Sequence, residues 1–236
     1  PLNNLQQNWL EHFLLEEIQQ QPNIEMRWGN NVVDHEQAHD QVSLTIETPE
    51  GAYQHTSKWV VAADGGRSPI RERMKLRMEG ASYEGRFVIA DIRIKLDYPT
   101  ERLAYFSPDW NPGNTILMHR EPDSIWRFDY QLDPAVSPEE ALLPENLHKA
   151  VNDQLKMIGK DHLAWEMDWS TVYSARALTL DNYVHNRIIF AGDAAHLLPI
   201  FGVRGANTGF QDAQDLAWKL AAVVKGWAPE KLLESY

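Results

Sequence analysis

Two ordered runs of residues in this sequence have the types and spacing to hold a ligand. The later one reads Gly192-Asp193-Ala194-Ala195-His196, then Pro199, then Gly202-Val203-Arg204-Gly205-Ala206-Asn207-Thr208-Gly209, leading into Asp212-Ala213. Small residues let a ligand approach the backbone, and the Asp193 carboxylate offers acceptors suited to sugar or polyol hydroxyls. Gly202, Gly205 and Gly209 leave backbone N–H groups open at the start of a helix, where the macrodipole favours negative charge. Read purely as structure, the same run is a glycine-rich loop with a capped helix. The acid, the proline, the spaced glycines and the Asn in one order favour the ligand reading. The earlier run, Asp64-Gly65-Gly66-Arg67-Ser68-Pro69-Ile70-Arg71, follows a short apolar stretch. A carboxylate and glycines at a strand's C-terminal end lie where open α/β sheets bind ligands. Asp-Gly is equally a common turn and Ser-Pro a helix start, so from local sequence both readings stand.

The elements that must position these runs can be read from periodicity. Residues 58–63 (KWVVAA) and 187–191 (RIIFA) are short apolar stretches predicted as strands buried on both faces, each delivering one run from its C-terminal end. A long helix is expected over about 208–225, burying Phe210, Ala213, Ala217, Leu220 and Val224 and stopping at Gly226, with a last helix starting near Pro229. A helix over 5–21, ended by Pro22, opens the chain with Leu5, Trp9, Leu10, Phe13, Leu14 and Ile18 at helical spacing. Short strands follow over 24–28 and 31–33 and through the alternating Val42, Leu44, Ile46, with Pro49-Glu50-Gly51 as a hairpin turn. From about 78 to 174, aromatic-rich segments such as 86–96, 115–120 and 125–132 predict a mostly antiparallel sheet. One helix interrupts it over 144–158, with Leu147, Val151, Leu155 and Ile158 on one face.

Composition excludes several classes. Lys and Arg number 22 against 34 Asp and Glu, a net charge of −12 with pI about 5.2, and no basic run exists. A nucleic-acid partner or an anionic membrane surface is therefore disfavoured. The absence of cysteine removes disulfides, thiolate metal sites and a cysteine nucleophile, and fits a reducing cytoplasm. No apolar run approaches the roughly 18–20 residues a membrane span needs. His35, His39, His119 and Arg120 show no metal-ligand context, and no metal is assigned.

With these runs in place the chain resembles the flavin-dependent aromatic hydroxylases of the para-hydroxybenzoate hydroxylase type, the class A flavoprotein monooxygenases. Asp64, Gly65, Ser68 and Arg71 match that family's D-G-x-x-S-x-x-R. Gly192 to His196, Pro199, Gly202, Gly205, Asn207, Gly209, Asp212 and Ala213 match its G-D-A-A-H-x-x-x-P-x-x-G-x-G-x-N-x-G-x-x-D-A. Gln7-Asn8-Trp9-Leu10-Glu11 is similar to its Q-x-x-L-E, and Leu232 to Tyr236 to its L-L-x-S-Y. The loop from Gly202 to Gly205 is one residue longer than the usual G-Q-G, as in hydroxyphenylpropionate-type relatives. The family's G-x-G-x-x-G is absent, so the chain is expected to be a form trimmed at both ends, colourless and inactive by itself.

The resemblance implies an α/β fold of mixed α+β character. An FAD-binding domain over 1–76 and 177–236 would carry an inserted, mostly antiparallel substrate-domain sheet over 77–176. It implies that Asp193, beside Gly192, bonds the ribityl chain of FAD and that Pro199 lies beside the isoalloxazine. Gly202, Val203, Arg204, Gly205, Ala206 and Asn207 would present backbone N–H groups to the flavin N1 and O2 edge. Asp64, Gly65, Ser68 and Arg71 would lie near the pyrophosphate and ribose or the nicotinamide route, with Gln7 a further FAD contact. His196 is expected to fix the loop rather than act as a base, and no catalytic side chain is assigned. The implied parent enzyme is an NADH- or NADPH-consuming, FAD-dependent monooxygenase that hydroxylates a small phenolic substrate with O2 through a flavin C4a-hydroperoxide. The alternatives are a halogenase, epoxidase or reductase of the same fold, or a non-catalytic fragment without flavin. Strands left short of neighbours would favour self-association into a homo-oligomer.

Overall fold

The computed structural model describes residues 4–199 and 204–236. Along the chain run helix α1 (Gln7–Gln19), strands β1 (Asn31–Gln37), β2 (Val42–Thr48), β3 (Gly51–Ser57) and β4 (Val60–Ala62), and the short helix α2 (Pro69–Arg73). Strands β5 (Glu79–Ile94), β6 (Leu103–Phe106), β7 (Thr115–Arg120) and β8 (Ile125–Leu132) precede helices α3 (Pro138–Ala141) and α4 (Pro144–Met157). Strands β9 (Trp165–Thr179), β10 (Val184–His185), β11 (Ile188–Phe190) and β12 (His196–Leu197) then lead to helix α5 (Gly205–Val224). A single 3-10 turn lies at Gly192–Ala194 and a six-residue 3-10 helix at Glu230–Ser235. These elements form two compact units, one of residues 1–25 with 84–175, the other of 26–83 with 176–236.

The first unit is built on antiparallel pairings of β5, β8, β7 and β6. Alternation puts Val88, Ala90 and Ile92 of β5, Ile116 and Met118 of β7, and Trp126, Phe128 and Tyr130 of β8 on one face. That face packs with Leu147, Val151 and Leu155 of α4, as the helical spacing predicts. Each large apolar side chain so buried contributes about 1.5–3 kcal/mol. The opposite face carries charge: Asp91 pairs across to Arg127, and Arg127 to His119. Helix α1 belongs to this unit, with the Trp9 indole donating to Asp123 at 3.2 Å and the Asn4 amide to the Arg120 carbonyl at 3.0 Å. Those two contacts tie α1 to the loop between β7 and β8 within this unit. None of α1's residues is buried, so its apolar spacing sets the helix without filling a core.

The second unit combines the meander β1-β2-β3 with the small sheet β10-β11-β4, in which β4 and β11 run parallel. Val42, Leu44 and Ile46, alternating inward from β2, share a core with Ile188, Phe190 and Ala194. Three expectations are corrected here. Residues 24–28 form no strand. Strand β4 is not buried on both faces: it lies at the end of its sheet and Val61 is 42% exposed, whereas the central β11 is fully buried. Helix α5 begins at Gly205 rather than near 208, and the face it buries centres on Leu216 and Lys219: Leu216 packs with Ile189 and Leu233, the expected Leu220 packs at the edge of that cluster, and Phe210, Ala213, Ala217 and Val224 stay exposed. The returning C-terminal turn selects that face. Lys219 Nζ donates to Asp215 at 2.6 Å and to the Ser235 carbonyl at 2.8 Å, so its charge is satisfied where its stem is buried. The helix ends as expected, with Gly226 at φ 70° donating to the Val223 carbonyl.

Candidate flavin site

In the second unit the parallel register fixes where the two ligand-binding runs emerge. Ala62 lies opposite Phe190, and the Ala191 N–H donates to the Ala62 carbonyl, so β4 and β11 end side by side. Both runs therefore start at one edge of the sheet, the edge where open α/β sheets bind ligands.

The earlier run folds into a cap and a clamp. Ser68 is buried and its hydroxyl accepts from the Arg71 N–H at 3.0 Å, capping α2, while Asp64 accepts from the Ile70 N–H at 3.1 Å. The Arg71 guanidinium is buried and donates to the Gly66 carbonyl at 2.6 Å and the Ala194 carbonyl at 2.9 Å, tying the loop after β4 to the turn after β11. Ser68 and Arg71 thus shape the loop from within. Asp64 is exposed, and Gly65 at φ 83° faces open space.

The later run is held by one carboxylate. Asp212 Oδ2 accepts from the Gly192 N–H at 2.8 Å and lies 2.6 Å from His196 Nε2, with both side chains nearly buried. Asp212 stands on α5, so this pair fastens the turn after β11 to the first half of the helix. His196 acts as the loop anchor that its place in the sequence suggested. Tyr183 packs beside the His196 ring and Tyr236 beside Tyr183. Burial, with Asp212, Tyr183 and Asp215 nearby, pushes the Tyr236 phenol above the ordinary tyrosine range. It stays protonated and donates to the Phe190 carbonyl at 3.1 Å.

This scaffold leaves Asp193 pointing outward. It sits at the middle of the 3-10 turn, exposed, with no hydrogen bond or ion pair among the described residues. Gly192, at φ 57°, is a position where L side chains are strained, and the space beyond it is open. At the start of α5 the Thr208 N–H donates to the Arg204 carbonyl at 2.8 Å, and the first turn of the helix, from Gly205 onward, presents its N-terminal end. A Cβ at Gly205 would meet nothing within 4 Å. An outward carboxylate, uncovered glycine backbone and a helix N-terminus suit the hydroxyls of a ribityl chain and the electron-rich edge of an isoalloxazine, so these residues fit the flavin half of FAD. Pro199 is partly buried at the end of this run, and Gly202 and Val203 lie outside the described residues. Gln7 is in the first unit, where its amide donates to Glu11 at 2.6 Å. Sequence reasoning did not find the roles of Asp212 and Arg71 as internal fasteners; the one signal available was Asp212's place in the motif, about two turns into the helix.

The model of the FAD binding domain family matches residues 2–236. The 3-(3-hydroxy-phenyl)propionate/3-hydroxycinnamic acid hydroxylase of Escherichia coli O139:H28 is 30% identical over 224 residues, covering 94% of this chain and 39% of that protein. The chain thus spans about two fifths of that relative's length. Among solved structures, p-nitrophenol 4-monooxygenase PnpA from Pseudomonas putida DLL-E4 superposes with a TM-score of 0.81 at 26% identity, over 98% of this chain and 58% of that one. Aklavinone-11 hydroxylase, solved with FAD and aklavinone, shares the fold with a TM-score of 0.83 at 24% identity, over 95% of this chain and 42% of that one. In sequence this chain belongs to the FAD binding domain family, and its fold is of the para-hydroxybenzoate hydroxylase type.

Proposed function

We propose that this chain is the flavin-holding and substrate-sheet portion of an FAD-dependent monooxygenase that hydroxylates a small aromatic, phenolic ring. The observation that carries the reading is Asp193: an exposed carboxylate just after β11, without a partner among the described residues, on a turn that Asp212, His196 and Arg71 hold from inside. Asp193 would bond the ribityl hydroxyls, and the first-turn N–H groups of α5 would face the N1 and O2 edge. Asp64 and Gly65 would lie toward the pyrophosphate and ribose. When bound, FAD supplies the reduction by NADH or NADPH and the activation of O2 that such hydroxylation requires. The chain's own part is to fix the ring, to place positive helix-dipole charge at its anionic edge and to keep the bound flavin from turning. Residues 77–176 would serve as the substrate domain, and 1–76 with 177–236 as the FAD-binding domain. Among the described residues no helix is long and apolar enough to cross a membrane, in keeping with a cytoplasmic enzyme.

The test is turnover by the full-length protein. Phenol-stimulated NADH or NADPH oxidation with formation of a ring-hydroxylated product is expected. NAD(P)H oxidation without oxygen insertion would identify a reductase instead.

A further inference from the structure

Two helix faces, one in each unit, leave large apolar side chains at the surface and take no part in the flavin site. On α5 the side turned away from the buried Leu216 and Lys219 carries Phe210, Ala217, Ala221 and Val224 at helical spacing, all exposed, with Trp218 beside them 55% exposed. On α1 no residue is buried. Trp9, Phe13 and Leu14 stand exposed there, with the Trp9 and Phe13 rings 6.3 Å apart. The Trp9 indole, bonded to Asp123, anchors this helix within its unit, so the outer stripe is held in place. Aromatic side chains gathered at a surface in this way mark a site of protein association.

Charge identifies the occupant. The exposed charges of α1 are the acids Glu11, Glu16 and Glu17, with His12 lying 3.2 Å from Glu16, and residues 4–26 hold no lysine or arginine. Helix α5 is the reverse. Its acids are engaged, Asp212 with Gly192 and His196, and Asp215 with Lys219, while its two ends carry the exposed Arg204 and Lys225. Residues 216–229 hold no acid, and Lys225 lies 4.5 Å from the Trp227 ring centre, which joins the charge to the apolar surface. In a chain of net charge −12 such a cationic apolar face is the exception, and the acid-rimmed stripe of α1 is its complement. The spacing agrees: Trp9, Phe13 and Glu17 follow one another at four-residue intervals on α1, as Ala217, Ala221 and Lys225 do along α5, so parallel helices would set large side chains on small ones and acid on base in one register. We propose that the chain associates with itself through these two faces, α1 of one copy lying on α5 of the next. The contact is heterologous, so the face left free at each end goes on recruiting copies as concentration rises.

Sedimentation equilibrium of the 236-residue chain is the test. The mean mass of wild type should rise with protein concentration and fall back as added salt screens Glu17 from Lys225. Phe13→Ser removes one face and Trp218→Ser the other; both positions are exposed, and unchanged thermal melting confirms the fold. Each variant alone should associate at least tenfold more weakly than wild type. Mixed, the two retain one intact face of each kind, so a one-to-one complex should form at the wild-type affinity and grow no further. Lys225→Glu should weaken association at least fivefold, and adding Glu17→Lys to the same chain should restore it. A wild-type chain that stays monomeric would overturn the proposal. So would variants that associate like wild type, the result expected if copies join instead through the three-residue strand β4 at the end of its sheet. A mixture that forms no complex would show each face pairing with its own kind and overturn it as well. None of the substituted residues belongs to either flavin-binding run, so the outcome is independent of the flavin assignment.

Discussion

Replacing Asp212 with Ala should loosen the turn that carries Asp193 while touching no flavin atom. The variant deletes two hydrogen bonds made by one oxygen, to the Gly192 N–H at 2.8 Å and to His196 Nε2 at 2.6 Å. A hydrogen bond to a charged group contributes about 1.5–3 kcal/mol and a backbone amide bond about 0.5–1.5, with a nearly buried imidazole left unpaired. Alanine's better helix propensity returns a few tenths. The expected loss is about 2–4 kcal/mol in urea denaturation of the chain. Because Gly192 is at φ 57° with its N–H committed to Asp212, the freed turn should also lower FAD affinity severalfold. A double-mutant cycle with His196→Ala isolates the shared bond and should give a coupling of about 1–2 kcal/mol. If Asp212→Ala costs less than about 0.5 kcal/mol, or the two variants add within about 0.3 kcal/mol, the pair is not the fastener described here.

Three further outcomes follow from local geometry. Arg71→Met removes both carbonyl contacts of the buried guanidinium and should destabilise the chain by about 2–4 kcal/mol, measured by denaturation midpoint at unchanged slope. Gly80→Ala places a Cβ 2.1 Å from the Ala177 carbonyl oxygen at φ 139°, so a loss of roughly 3 kcal/mol or more is expected, and a variant melting within a degree of wild type would refute the clash. Asp129 has a pKa raised above 3.8 by burial, so its charge opposes folding above that raised value, and the opposition fades as pH falls toward 3.8. Asp129→Asn should therefore equal or exceed wild-type stability at neutral pH, and the advantage should shrink on acidification through that window; an advantage that grew instead would reverse the sign argued here.

Much of this architecture is legible in the sequence because it follows local rules. The strands over Thr115–Arg120 and Ile125–Leu132 and the helix at Pro144–Met157 stand where alternation and helical spacing place them. Strand β11 is recognisable from its apolar run, and the parallel partner β4 from its own. What failed depended on partners distant in sequence. An apolar stripe on α5 marks a face suited to burial, yet the C-terminal turn and Ile189 cover the face carrying Leu216 and Lys219. A buried lysine is readable only once the Ser235 carbonyl is known to lie beside it. In the candidate site, the outward Asp193 and the anchoring His196 were readable from their order in the run. Ser68 and Arg71 were readable as residues of one motif, but their inward direction follows from a contact to Ala194, 123 positions away.

The central claim is that Asp193 holds the ribityl chain of FAD, and an FAD titration of the desalted 236-residue chain tests it most directly. Flavin fluorescence would follow binding to wild type and to Asp193→Ala. Asp193 is exposed and unpartnered among the described residues, so its removal should leave the melting temperature unchanged. Saturable binding is expected for wild type, weakened in the variant by about 1–3 kcal/mol, which is roughly five- to 150-fold in Kd. Superimposable isotherms for the two proteins, with both folded, would contradict the assignment.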